Sequence, residues 1–324
     1  MEIAFAGNTS LTSYCLEKLC RKGVKVSRLL VPAKGQATIA DTVDFNNLAG
    51  EFDIELITVP NKNQNQLQAD LLINFEWPIK LPLPINTRLG VIGSNLAGQF
   101  EQGRLLDVAA DIYSGKNKVE VQLLLENSPT DSASVSEMIY EPPFFKVLNF
   151  TEIELNHLDD LRSAKTKAAF CLYRMLESLL LSESTEAKLK KSLKREISFS
   201  KIDADRLVDW HNGAIYLHNL VRAYTRPNPG AYTWYDGYKL YIWRGHYFEL
   251  KDRDFGNMEP GTIIDIEEEL GILVKTGHGT FLITRMQQAG SPELPAWVWA
   301  DKTHIVPGDS FQISEQEKVL ELTR

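Results

Sequence analysis

The feature that most constrains this chain is the alternation, through its first 125 residues, of short apolar runs with stretches whose apolar residues recur at helical spacing. Ile3 to Ala6 reads as a strand, and Leu11 to Lys22 as a helix that Ser10 would cap and Gly23 would close. Val24 to Val31, Ile54 to Val59, Ala69 to Phe75, Leu89 to Gly93 and Lys118 to Leu125 are further strand-like runs bounded by Asn, Pro or Gly. Strands that alternate with helices predict an α/β fold with five or six strands in a doubly wound, Rossmann-like, mostly parallel sheet. Ligands of such sheets collect beyond the carboxyl ends of the strands, which directs attention to the loops 74–79 and 93–104.

The second half differs in kind. Leu161 to Leu181 carries Ala168, Leu172, Met175, Leu176 and Leu179 at helical spacing and would close a first domain over residues 1–181. Residues 182–207 have the polar composition of a linker, and their basic run from Lys188 to Lys201 reads as a solvated face. Over 208–324, Val208 to Tyr224 reads as one helix and Pro227 to Gly230 as a sharp break. Ala231 to Trp234, Tyr238 to Trp243, Gly261 to Ile266, Gly271 to Lys275 and Thr280 to Met286 follow as short strands joined by Gly-rich turns. Together they predict a small antiparallel OB-like β-barrel, whose aromatic residues Trp234, Tyr235, Tyr238, Tyr241 and Trp243 alternate so that some face outward.

Composition narrows the function classes. The net charge of −8 argues against a broad phosphate-binding surface, and residues 200–324 hold 13 Lys and Arg against 18 Asp and Glu, a poor balance for a tRNA clamp. Met1 to Gly7 lacks the basic start of a signal peptide, and no run approaches the length of a membrane helix. Cys15, Cys20 and Cys171 form no disulfide or metal pattern. A cytoplasmic protein without membrane or metal is the expectation.

Val208-Asp209-Trp210, Asn219-Leu220-Val221-Arg222-Ala223, Asn228-Pro229-Gly230-Ala231-Tyr232-Thr233 and Gly237-Tyr238-Lys239-Leu240-Tyr241-Ile242-Trp243 follow one another at characteristic intervals. This series resembles the start of the C-terminal domain of methionyl-tRNA formyltransferases and sugar N-formyltransferases. Gly261-Thr262-Ile263-Ile264 and Pro292-Glu293-Leu294-Pro295-Ala296 look like later segments of the same domain. Met1 to Leu19, Ile54 to Asn61 and Asp70 to Ile79 are similar to the N-terminal domain of that family. The resemblance implies 10-formyltetrahydrofolate as the one-carbon donor and a small-molecule ligand in the N-terminal cleft, with a nucleotide sugar or other small amine favoured over tRNA as acceptor.

The resemblance also implies an Asn and a His in a motif like N-L-H-P-S-L-L-P and an Asp in a later loop. Formyl transfer needs oxyanion stabilisation and a route for protons, which those residues would supply. Here Leu89-Gly90-Val91-Ile92 continues as Gly93-Ser94-Asn95-Leu96-Ala97. Without a gap Gly93 replaces the Asn and Asn95 the His; with a two-residue shift Asn95 keeps the Asn and Ala97 replaces the His. No alignment restores the histidine, since the six His residues lie at 157, 211, 218, 246, 278 and 304. Asp131 matches the acidic position only with a local gap, and Asp107, Asp111 or Glu137 are candidate substitutes.

The cofactor loop would comprise Phe75, Glu76, Trp77 and Ile79 together with Gly93, with Phe75 and Trp77 either stacking on a heteroaromatic ligand or plugging a disused pocket. Gly7, Asn8 and Thr9 form a strand-to-helix turn whose backbone donors would meet a substrate anion. Two functions fit these residues: formyl transfer through a rearranged Asn95 and Asp131 set, or a non-catalytic ligand-binding or assembly role.

Overall fold

The computed structural model describes residues 1–33, 42–59, 67–75, 85–94, 104–126, 145–191, 193, 200–203, 205–248 and 257–312. The first domain runs β1 (Ile3–Ala6), α1 (Ser10–Arg21), β2 (Val26–Pro32), α2 (Asn46–Glu51), β3 (Glu55–Val59), β4 (Leu67–Asn74), β5 (Ile85–Ser94), β6 (Arg104–Leu106), α3 (Asp107–Tyr113), β7 (Lys118–Glu126), β8 (Phe145–Glu154) and α4 (Leu161–Leu180). Its sheet has seven strands in the order β3-β2-β1-β4-β5-β7-β8. The first five are parallel, and β7 and β8 add on as antiparallel edge strands. The added strand β8 is the main departure from the sequence expectation.

Apolar side chains decide these layers. Strand β1 buries all four residues, Phe5 on one face of the sheet and Ala4 and Ala6 on the other. Phe5 joins Leu16, Leu19, Leu172 and Leu176 beneath α1 and α4, whereas the alanines pack with Leu30, Ile57, Leu72 and Val91. Helix α1 is capped by Thr9 rather than Ser10: the Thr9 hydroxyl accepts from the Thr12 amide at 3.4 Å, because Thr9 still has extended backbone and Ser10 is already helical. Helix α4 opens on a capping box in which Asp160 and Ser163 exchange bonds at 2.9 and 3.0 Å.

Between the domains stand α5 (Thr185–Lys190) and β9 (Lys201–Asp203), the latter paired antiparallel with β6. The expected helix from Val208 starts only at Ala214, as α6 (Ala214–Tyr224). Asp209 accepts from the His211 amide and Gly213 is extended, so residues 209–213 form turns that sink the Trp210 ring into the core.

The second domain is an antiparallel sheet of β10 (Ala231–Tyr235), β11 (Tyr238–Phe248), β12 (Ile263–Glu267), β13 (Gly271–Lys275), β14 (Thr280–Gln288) and the short β15 (Leu294–Pro295), followed by α7 (Ala296–Thr303). The main strand order is β10-β11-β14-β13-β12. Residues 309–312 tie its two edges together. The Ile263 amide donates to the Asp309 carbonyl and the Phe311 amide to the Gly261 carbonyl on one side, and Trp234 and Gln312 exchange bonds on the other. Thr233, Leu240 and Ile242 point inward, and Trp210 stacks on Phe311 at 5.7 Å inside.

Of the five alternating aromatics, Tyr235 packs inward on Trp299 and Phe311, and Tyr238 is exposed at the hairpin. Trp234, Tyr241 and Trp243 share the outer face with Tyr232. Lys239 lies 3.7 Å above the Tyr232 ring and the Arg226 guanidinium 3.9 Å above Trp243, so cations already cover part of that face.

Candidate functional site

The strand order reverses at β1: the chain winds outward through β2 and β3, then returns to place β4 on the other side of β1. In an open α/β sheet, the crevice beyond the carboxyl ends of two such strands is where ligands bind. Here it is framed by Gly7-Asn8-Thr9 leaving β1 and by Asn74-Phe75 leaving β4. Register brings them together, since Ala6 pairs with Asn74 and Ile73 pairs with Ile92, which sets Gly93 next to Asn74.

Gly7 is required by close approach. Its φ is +148°, and a Cβ there would stand 2.2 Å from the Thr12 Oγ1 and 2.7 Å from the Phe75 carbonyl oxygen. That same Thr12 hydroxyl donates to the Phe75 carbonyl at 3.2 Å, so the two strand exits are clamped together. The Gly7 amide donates to the Leu30 carbonyl, and the Thr9 hydroxyl caps α1.

Two amide side chains frame the crevice. Asn8 is 4% exposed, and the Oδ1 atoms of both Asn8 and Asn74 are buried without a hydrogen-bond partner. A buried polar atom left unpaired costs about 1–3 kcal/mol, so such atoms stay where another interaction uses them. The two orphan acceptors stand on adjacent strand exits at the topological switch point.

Of the residues expected at the site, Gly7, Asn8, Thr9, Phe75 and Gly93 are brought to this edge; Asn95, Asp131, Glu76, Trp77 and Ile79 lie outside the described residues. Phe75 is 1% exposed and belongs to the core under α1, and its carbonyl accepts from the Thr12 hydroxyl. Gly93 lies within β5, paired with Leu124, and a Cβ there would meet only the Asn74 carbonyl oxygen at 3.8 Å. Among the substitute bases, Asp111 is buried on α3 and held by Lys116 at 2.6 Å and Ser200 at 2.5 Å, while Glu137 and the Asp107 side chain lie outside the described residues.

Asn74 is the residue that sequence reasoning passed over. The signal was there, a lone polar residue closing the apolar run from Ala69, but its meaning needs the neighbouring strand. The histidines are elsewhere: His157 lies between β8 and α4 and the other five lie in the second domain. Among the described residues no cluster of His, Cys, Asp and Glu could hold a metal, and no helix is long and apolar enough to cross a membrane.

A seven-stranded switch-point sheet is followed by an antiparallel domain, a fold shared with solved structures of low sequence identity. Residues 201–304 match the formyl transferase C-terminal domain. A methionyl-tRNA formyltransferase of Caldanaerobacter subterraneus is 32% identical over 146 residues, 44% of this chain and 45% of the relative, so the match spans about half of that protein. HypX from Aquifex aeolicus superposes with a TM-score of 0.56 at 16% identity, over 93% of this chain and 48% of HypX. The sugar 3N-formyl transferase WlaRD, solved in the presence of dTDP and 5-N-formyl-THF, superposes with a TM-score of 0.51 at 12% identity, over 90% of this chain and 99% of WlaRD. Residues 201–304 therefore carry the formyl transferase C-terminal domain, and the chain spans about half the length of the curated relatives it matches.

Proposed function

We propose that this chain binds a reduced folate at the switch point of its first sheet and holds it without histidine-assisted formyl transfer. The observation that carries this reading is the pair of orphan acceptors, Asn8 Oδ1 and Asn74 Oδ1. The pterin ring of a folate carries N–H donors, the complement of those acceptors, and the chain's residues fit the group in that respect. Structural neighbours of similar fold were solved with such ligands: WlaRD with 5-N-formyl-THF, and an N-formyltransferase from Helicobacter canadensis with folinic acid, the latter at a TM-score of 0.52. When bound, the folate supplies a one-carbon unit. Asn8 and Asn74 accept its donors, Gly93 leaves the β5 edge open beside Asn74, and the Gly7–Thr12–Phe75 clamp fixes the spacing of the two strand exits.

Catalysis is where the reading parts from the family. No histidine occurs between Met1 and Asn156, the stretch that builds the sheet, and an Asn side chain carries no proton at physiological pH. Losing one acid–base participant costs roughly 10²–10⁴-fold in rate. A second reading, transfer to a nucleotide sugar or other small amine through Asn95 and Asp131, rests on the retention of those two residue types near the family positions. Calorimetric titration with 5-formyltetrahydrofolate tests the proposal. Saturable binding weakened about tenfold or more by Asn74→Ala is expected; absence of binding at millimolar ligand rejects the folate reading.

A further inference from the structure

A cavity of about 580 Å³ opens along the seam between α1 and α4. Its walls are the first turns of α1 (Ser10, Leu11, Tyr14), the first half of α4 (Arg162, Lys165, Thr166, Ala169, Phe170) and the Arg226–Pro227 turn of the second domain. That volume falls within the range of small-molecule sites. We propose that the cavity binds a small organic anion, a carboxylate or phosphate ester carried on an aromatic or other flat apolar body.

Charge is the first argument. Three of the ten lining residues are cations and none is acidic, in a chain whose net charge is −8. Asp159, near the start of α4, pairs with Lys167 at 2.6 Å, and Asp160 accepts from the Ser163 amide in the capping box. Arg226 shares Glu293 with Arg285, so one carboxylate faces two guanidiniums and a positive charge remains uncompensated. A concave site lined by one sign of charge concentrates the opposite ion.

Pre-organisation and shape are the second. The Arg226 guanidinium lies 3.9 Å from the Trp243 ring centroid and is held at its edge by Glu293, so it is fixed before any ligand arrives. Leu11, Tyr14, Ala169, Phe170 and Pro227 give the cavity its apolar wall. Phe170 is 54% exposed, an aromatic surface left uncovered on the otherwise buried α1–α4 seam.

Calorimetric titrations of the full chain with phenyl phosphate, phenylacetate and uncharged benzyl alcohol test this. One or both anions should bind saturably with a Kd below about 1 mM, the tighter one naming the oxyanion. Arg162→Glu and Phe170→Ser, both at exposed positions, should each weaken that binding about tenfold or more while leaving 5-formyltetrahydrofolate binding unchanged. The proposal is overturned if neither anion binds, if benzyl alcohol binds as tightly, or if both variants bind the anions like the parent. Competition between the anions and 5-formyltetrahydrofolate also overturns it, because the cavity would then belong to the folate's own carboxylate tail.

Discussion

The Nε2 of His218 lies 2.7 Å from the carbonyl oxygen of His157, while its Nδ1 lies 3.1 Å from the carbonyl oxygen of Gly245. The first contact joins α6 of the second domain to the β8–α4 connection of the first. One helical turn on, Arg222 donates to the carbonyls of Asn156 and Asp159 at 3.0 and 2.9 Å. A single connection is thus gripped by two neighbouring side chains of α6.

Two carbonyl oxygens favour a doubly protonated ring, but burial outweighs them, and Arg222 and His246 add to it, pushing the His218 pKa below its ordinary value. His246 is lowered in the same direction by burial, with Arg244 and His157 beside it. The Tyr247 ring meets His218 edge-on at 5.4 Å. The folded protein therefore takes up these protons less readily than the unfolded chain. Its stability is full above the unfolded imidazole pKa of about 6.5 and declines as the pH falls below it. Thermal unfolding followed from pH 7.5 to pH 5 should show a falling Tm, and His218→Gln should flatten that decline.

Arg222→Met should cost roughly 2–4 kcal/mol, because the buried carbonyls of Asn156 and Asp159 lose their donors and the Asn219 amide oxygen loses its bond at 2.7 Å. Chemical denaturation measures the loss. A parallel increase in proteolysis around residues 155–160 would mark the loosened domain contact.

Gly7→Ala should destabilise by roughly 2–4 kcal/mol, combining a strained φ with a Cβ driven against Thr12 and the Phe75 carbonyl. Thr12→Ser keeps the hydroxyl bond to Phe75 and should stay within about 1 kcal/mol of the parent. Equilibrium denaturation of the two variants separates the clamp from general crowding.

Much of the fold was legible in the chain. The first strand and α4 fall within a residue of the apolar periodicity, and the Asp236-Gly237 turn joins β10 to β11 as the hairpin pattern predicts. Strand β8 was not read, although Val147 and Ile153 are buried in it, because an edge strand with exposed Phe150 gives a weak alternating pattern. The delayed start of α6 was also hidden, since Val208 and Trp210 are apolar residues just ahead of the helix and only the Asp209 turn shows that they enter the core before the helix begins. Of the candidate site, the turn Gly7-Asn8-Thr9 was visible by type, but the partnership of Asn8 with Asn74 depends on β4 lying beside β1, a long-range pairing that no local pattern encodes.

Asn8→Leu should leave stability unchanged or raise it by up to about 1 kcal/mol, since it removes an unpaired buried amide oxygen in favour of apolar contact. Folate binding should fall in the same variant. Opposite movements of stability and binding are the expected mark of a functional residue, and denaturation together with titration reads both.

In the proposed function, the switch-point crevice holds a folate without processing it. Following 10-formyltetrahydrofolate in the presence of the chain and a panel of nucleotide-sugar and simple amines tests this most directly. The predicted result is saturable binding of the folate with no amine-dependent release of tetrahydrofolate above the background rate. Amine-dependent turnover, or a failure of the folate to bind at all, would contradict it.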